Sequence, residues 1–102
     1  MDYKIIVTDV ATEELEGIFD YISRNLNNKS ATEKLKLKIE KLFLWLEQNP
    51  YLATRVHIKP QNKIYRRLVI NNYIVLYKVE EEKKQVIVYR VLYGRRDYLK
   101  LF

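Results

Sequence analysis

The chain of 102 residues carries 19 Lys and Arg against 13 Asp and Glu, a formal charge of +6, with no Cys, two Gly and two Pro. This length suits a single domain over residues 1–102, whose core needs neither disulfides nor a structural metal, and the missing Cys excludes thiolate chemistry. No apolar run approaches the roughly 18 residues of a membrane span and no leader-like apolar stretch opens the chain, so a soluble cytoplasmic protein without a membrane partner is expected. The charge is unevenly placed. Residues 1–54 hold seven basic and nine acidic residues, whereas residues 55–102 hold twelve and four. A basic half implies an anionic partner, either nucleic acid or an acidic protein segment.

In chain order, Tyr3 to Val7 is alternating and then apolar, which predicts a strand. Asp9 is a candidate N-cap for a first helix whose apolar stripe is Ala11, Leu15, Ile18, Phe19, Ile22 and Leu26. Asn27-Asn28-Lys29 interrupts it. Ser30-Ala-Thr-Glu33 fits a capping box for a second helix, running to about Asn49 and stopped by Pro50. Its stripe is Ala31, Leu35, Ile39, Leu42, Phe43 and Leu46. Trp45 lies off that stripe, either as a packing residue of the helical hairpin or as an anchor for a partner. So short a break predicts an antiparallel αα-hairpin. Residues 51–63 are the least regular stretch, basic and extended around Pro60.

Three β-branched and aromatic runs follow, Ile64–Ile70, Tyr73–Val79 and Val86–Tyr93. Asn71-Asn72 suits a two-residue hairpin turn, and Glu80-Glu-Glu-Lys-Lys-Gln85 a charged tip. Helices and strands in blocks predict an α+β fold. The N-terminal strand and the three-stranded antiparallel meander together form a four-stranded sheet with the hairpin on one face. The first strand lies in the centre or parallel to the last.

Nucleophilic hydrolysis and metal catalysis have little to work with. Ser23 and Ser30 lack a nucleophile-elbow setting, there is one His, and no glycine-rich phosphate loop occurs. No cofactor is implied. What remains is Arg and Tyr. Arg66, Arg67, Arg90, Arg95 and Arg96 could bind phosphate or carboxylate, and Tyr65, Tyr89, Tyr98 and their neighbours offer stacking faces and hydroxyls. Such groups can serve an RNase in which Arg stabilises charge on phosphorus, or they can simply pack and face water. Arg66 and Arg67, being adjacent on a strand, point to opposite faces.

The run Arg-Arg-Leu, a turn, Tyr-x-Val-x-Tyr-x-Val and then Arg-Val-Leu-Tyr-Gly-Arg-Arg-Asp-Tyr, with the preceding strand and helical hairpin, resembles the RelE/ParE toxins of bacterial type II toxin–antitoxin systems. The resemblance covers nearly the whole chain. It implies a small α+β toxin neutralised by a cognate antitoxin whose C-terminal segment wraps the toxin. It also implies one of two targets. RelE-like members are ribosome-dependent mRNA endoribonucleases, and ParE-like members inhibit DNA gyrase without RNA cleavage. In a RelE-like reading Arg66 or Arg67 matches the strand arginine and Arg96 a C-terminal one, with Tyr98 as candidate acid or base. Phe102 stands near the place of the late tyrosine, and the hairpin and the Val-Leu-Tyr-Gly-Arg-Arg-Asp-Tyr ending are ParE-like. The expectation is therefore a plasmid-stabilising, growth-inhibiting toxin acting on gyrase, with the ribosome and mRNA as the alternative target and a non-toxic α+β binding domain as a third reading. The binding residues implied are Arg66, Arg67, Arg90, Arg95, Arg96 and Tyr98.

Overall fold

The computed structural model describes residues 2–58 and 63–94. The elements follow as β1 (Lys4–Val7), α1 (Asp9–Asp20) continued by a π-helical turn (Tyr21–Asn25), α2 (Lys29–Gln48), β2 (Thr54–Ile58), β3 (Lys63–Ile70), β4 (Tyr73–Glu80) and β5 (Gln85–Tyr93). They build one sheet in the order β1-β5-β4-β3-β2, in which only β1 against β5 is parallel. The α+β architecture, the hairpin and the meander are as expected, and β1 takes the second of its two expected places, parallel to the last strand. The sheet gains a fifth strand, β2, in the stretch read as irregular. A five-residue strand pairing on one side only leaves little local pattern, and its partner β3 lies beyond Pro60.

Both helix starts fall one or two residues before the expected caps. Thr8, not Asp9, caps α1, its hydroxyl accepting from the Ala11 N–H at 3.2 Å. Asn28, not Ser30, caps α2, its side-chain carbonyl accepting from the Ala31 N–H at 3.0 Å. In each case the residue with extended or irregular backbone just outside the first turn supplies the acceptor, because an N-cap must itself be non-helical.

The two helices cover one face of the sheet. From α2, Lys38 donates to Asn71 at the β3–β4 turn (2.9 Å), and Glu47 accepts from the Tyr3 N–H (2.8 Å) before β1, so α2 runs back along the sheet. The core on this face is Ala11, Leu46, Ala53, Val75, Tyr77, Val86, Val88 and Val91. Trp45 is 39% exposed and lies off the core stripe. A second, smaller cluster of Tyr65, Ile74, Leu76 and Leu92 lies on the opposite face with Tyr89 against it. Strand alternation explains the division, since odd-numbered β4 residues face the helices and even-numbered ones face away.

The β3–β4 hairpin closes with Asn71 in the left-handed region at φ 52°, a conformation Asn tolerates better than most residues. Opposite Leu76 and Tyr77 the register of β5 slips by one residue at Tyr89. That slip decides what happens at the β5 edge.

Candidate functional site

β1 pairs with β5 only as far as Val7 and Val88. Side chains continue the edge beyond that point. The Thr8 N–H donates to the Val88 carbonyl (3.1 Å) and the Thr8 hydroxyl to the Tyr89 carbonyl (3.1 Å). Glu14 of α1 then accepts from the Val91 N–H at 2.9 Å and from the Arg90 guanidinium, Nη2 at 2.8 Å and Nε at 3.0 Å. Arg90 is thus tied bidentately to a carboxylate, with both side chains about one-fifth exposed.

Arg66 is also held by the fold. Its guanidinium lies on the helix-side face, donates to the carbonyls of Tyr51 (2.9 Å) and Ala53 (2.8 Å), and stacks over the Tyr51 ring at 5.0 Å. Tyr77 donates its hydroxyl to the Pro50 carbonyl at 2.8 Å. Together these groups satisfy three carbonyls of the α2–β2 connection, which a loop packed on the sheet would otherwise leave dry. Burial pushes the Tyr77 phenol up to about 12. Beside it, Glu81 accepts from Tyr3 (2.6 Å), Tyr51 (2.5 Å) and Lys84. The bond from Lys84, then those from the two phenols, hold the Glu81 carboxyl down at about 2, and the bond to Glu81 pushes Tyr51 up to about 12.

Arg67 lies across from Leu76 and so on the opposite face, as alternation requires. That face carries a cation–aromatic cluster. The Lys78 ammonium sits 4.6 Å from the Tyr65 ring centroid and 5.8 Å from that of Tyr89, and the two rings meet edge to face at 5.5 Å. A cleft of about 450 Å³ beside it is lined by Arg55, Arg66 and Lys78 with Tyr51, Tyr65 and Tyr77, and by no carboxylate among the described residues. Sequence reasoning counted Lys78 among the basic strand residues but placed only Arg66, Arg67 and Arg90 of them in the candidate site. The signal for Lys78 was the alternation Tyr77-Lys78-Val79, which sets a cation on the face away from the helices, beside the Tyr65 and Tyr89 rings. Arg95, Arg96 and Tyr98 lie outside the described residues.

A larger feature escaped sequence reasoning altogether. A groove of about 730 Å³ opens between α1 with its π-turn, the start of α2 and the end of β5. Gly17, Ile18, Tyr21, Leu26, Leu35 and Tyr93 are among its lining residues. Gly in a helix interior costs about 0.5–1 kcal/mol relative to Ala. A Cβ on Gly17 would meet nothing within 4 Å, so internal packing does not call for the glycine. The π-turn, a rare geometry often found at functional sites, sets Tyr21 at 54% exposure on the groove wall. Among the described residues no group of His, Cys, Asp and Glu could hold a metal ion, and no helix is long and apolar enough to cross a membrane.

Solved structures share this fold, three of them as follows. A chromosomal ParDE toxin–antitoxin system from P. aeruginosa superposes with a TM-score of 0.71 at 16% identity, over 91% of this chain and 97% of that one. The RelBE2 toxin–antitoxin complex of Mycobacterium tuberculosis gives 0.63 at 18% identity, over 91% and 99%. The archaeal RelE–RelB complex of Pyrococcus horikoshii OT3 gives 0.61 at 15%, over 94% and 99%. At these identities the likeness is one of fold. No curated protein matches by sequence. The family of the ParE toxin of type II toxin–antitoxin systems, parDE, matches over residues 5–98, and the chain belongs to that family. It is thus a toxin of the RelE/ParE superfamily.

Proposed function

We propose that this toxin stops growth by binding DNA gyrase through a protein–protein contact, and that a cognate antitoxin neutralises it by covering its surface. One observation carries this reading. Arg66 and Arg90, two of the strand arginines that RNA cleavage would draw on, serve the fold, one on loop carbonyls and the other on Glu14. A guanidinium already fork-bound to a carboxylate is a poor stabiliser of charge developing on phosphorus, since that role needs donors aimed at the substrate. The contact surface proposed for gyrase is Arg67 with Arg95, Arg96 and Tyr98. The RelE-like reading, ribosome-dependent mRNA cleavage, keeps support from the Tyr65–Lys78–Tyr89 cluster on the face that also carries Arg67.

One experiment separates the two. Wild type, Arg67→Ala and Arg96→Ala are expressed under a tight promoter and scored for growth, gyrase supercoiling and message cleavage on ribosomes. The expected result is inhibited supercoiling with intact message, relieved in the variants. Message cleaved in the wild type and spared in the variants, where an oriented donor is worth on the order of 10²–10³ in rate, would establish the ribosome as the target.

A further inference from the structure

The outer face of α2 carries a pattern that neither the core nor the strand arginines absorb. Leu35, Ile39 and Leu46 point into the fold and are buried. At about 100° per residue, Leu37 and Leu44 stand on the opposite side of the helix, 55% and 61% exposed. A single exposed leucine is ordinary on a protein surface. These two lie two helical turns apart and so share one line along the helix. Charges of opposite sign border that line. Glu33 and Glu40 lie about 40–60° to one side of it, and Lys34 and Lys41 about 40–60° to the other. All four are exposed. Among the described residues Lys34, Glu40 and Lys41 enter no ion pair, and Glu33 has one, to Lys36 at 3.8 Å on the side away from the leucines. Trp45, also exposed, borders the line on its lysine side.

Such a face is self-complementary in one orientation only. Let two copies of α2 pack side by side and parallel, related by a twofold axis along their seam. The acidic flank of each then meets the basic flank of the other. In the antiparallel arrangement glutamate flank meets glutamate flank and lysine meets lysine, which repels. The sheet lies behind each helix, so the two bodies point away from the seam. We propose that this face receives a second copy of the chain, in a parallel twofold dimer in which Leu37 and Leu44 each meet their own counterparts. Two leucines and the edge of a tryptophan make a small apolar centre compared with that of a permanent dimer. The association is therefore weak and concentration-dependent, and it leaves Arg67 and its face of the sheet open to other partners.

The test uses the purified full chain. Sedimentation at low salt should show a monomer passing to a dimer within about 1 µM to 1 mM, the range of small transient interfaces. Leu44→Glu should weaken the dimer by about tenfold or more, because each copy loses a buried leucine. Glu40→Lys and Lys41→Glu should each weaken it several-fold at low salt, and the double swap Glu40→Lys with Lys41→Glu should restore it. Circular dichroism checks that every variant folds. The native chain has no Cys, so an introduced thiol reports the orientation. Leu37→Cys and Leu44→Cys should each form a disulfide-linked dimer with themselves, since a parallel pair brings like positions within the roughly 4.4–6.8 Å between Cα atoms that a disulfide spans. An antiparallel pair sets residue 37 against residue 44, about 10 Å along the axis from its own counterpart. Tighter association in Glu40→Lys, or linkage only when the two Cys variants are mixed, would therefore overturn the parallel arrangement. A monomer at every concentration would overturn the proposal, as would a dimer that Leu44→Glu leaves intact. A loss of antitoxin or gyrase binding in Leu44→Glu, with no dimer in the wild type, would give the face to that partner instead.

Discussion

The arginines divide by the company they keep, which a sequence does not print. Arg90 looked like a surface cation on the last strand, yet Glu14, 76 residues earlier, holds it together with the Val91 N–H. Removing the carboxylate takes the fork partner from a part-buried guanidinium and the acceptor from a strand-edge donor. Glu14→Ala should therefore cost about 2–3 kcal/mol, in the range for hydrogen bonds to charged groups. Glu14→Gln, which can still accept from Val91, should cost less. Thermal unfolding checks both, at about 4–8 °C per kcal/mol for a domain at the upper end of 60–100 residues. Tyr77 provides the pH counterpart. Its phenol is fully buried, donates to the Pro50 carbonyl, and is pushed by burial from 10 up to about 12. A group whose folded value is raised gives stability that is complete below its unfolded value and lost as pH climbs through the folded one. The wild type should thus lose stability between pH 10 and 12. Tyr77→Phe should start about 1–3 kcal/mol less stable at neutral pH, with the Pro50 carbonyl unsatisfied, and fall less steeply over that window in alkaline denaturation. Glu81, held at about 2, works in the other direction, its network failing as pH drops from 4.5 towards 2.

Elements were legible where the pattern is local and illegible where a partner defines them. The stripe of Leu35, Ile39 and Leu46 and the Asn71-Asn72 turn could be read because helix period and turn chemistry reside in consecutive residues. β2 could not, because its ladder to Arg66, Arg67 and Tyr65 is a tertiary fact. The caps were missed by one or two residues for a related reason. Asp9 and Thr8 are both good N-caps in isolation, and the sheet chooses between them, since the Thr8 hydroxyl also donates to Tyr89. That double duty leads to a prediction. Thr8→Ala removes the cap of α1 and the stitch between helix and strand together, and should cost about 2 kcal/mol, the upper end for caps. Thr8→Ser, which keeps both bonds, should stay within a few tenths. Amide exchange at Ala11 should rise selectively in the Ala variant. Equal exchange in both variants would assign the cost to the lost methyl group instead. The candidate site was half legible in the same sense. Alternation put Arg66 and Arg67 on opposite faces, but nothing in the sequence signalled a groove whose walls come from α1, α2 and β5.

At the scale of the whole molecule the charge is segregated along the chain, −2 over residues 1–54 and +8 over residues 55–102. Among the described residues the fold turns that division into geometry, because the first half is mostly the hairpin on one side and the second half supplies most of the sheet. An acidic partner therefore approaches a molecule with a charged direction, and long-range attraction acts on encounter before any contact forms. The Debye length shrinks from about 30 Å at 0.01 M salt to about 8 Å at 0.15 M. The association rate with the antitoxin should fall by about tenfold or more across that range. The dissociation rate, set by short-range contacts, should move only a few-fold. Neutralising a sheet cation tests the geometry directly. Lys78→Gln should flatten the salt dependence of association, while Lys36→Gln, on the solvent side of the hairpin, should leave it steep. Stopped-flow association at five ionic strengths measures both slopes. A flat wild-type series would place recognition in the apolar contacts alone, and equal slopes for the two variants would show that net charge, rather than the sheet's own field, steers the partner.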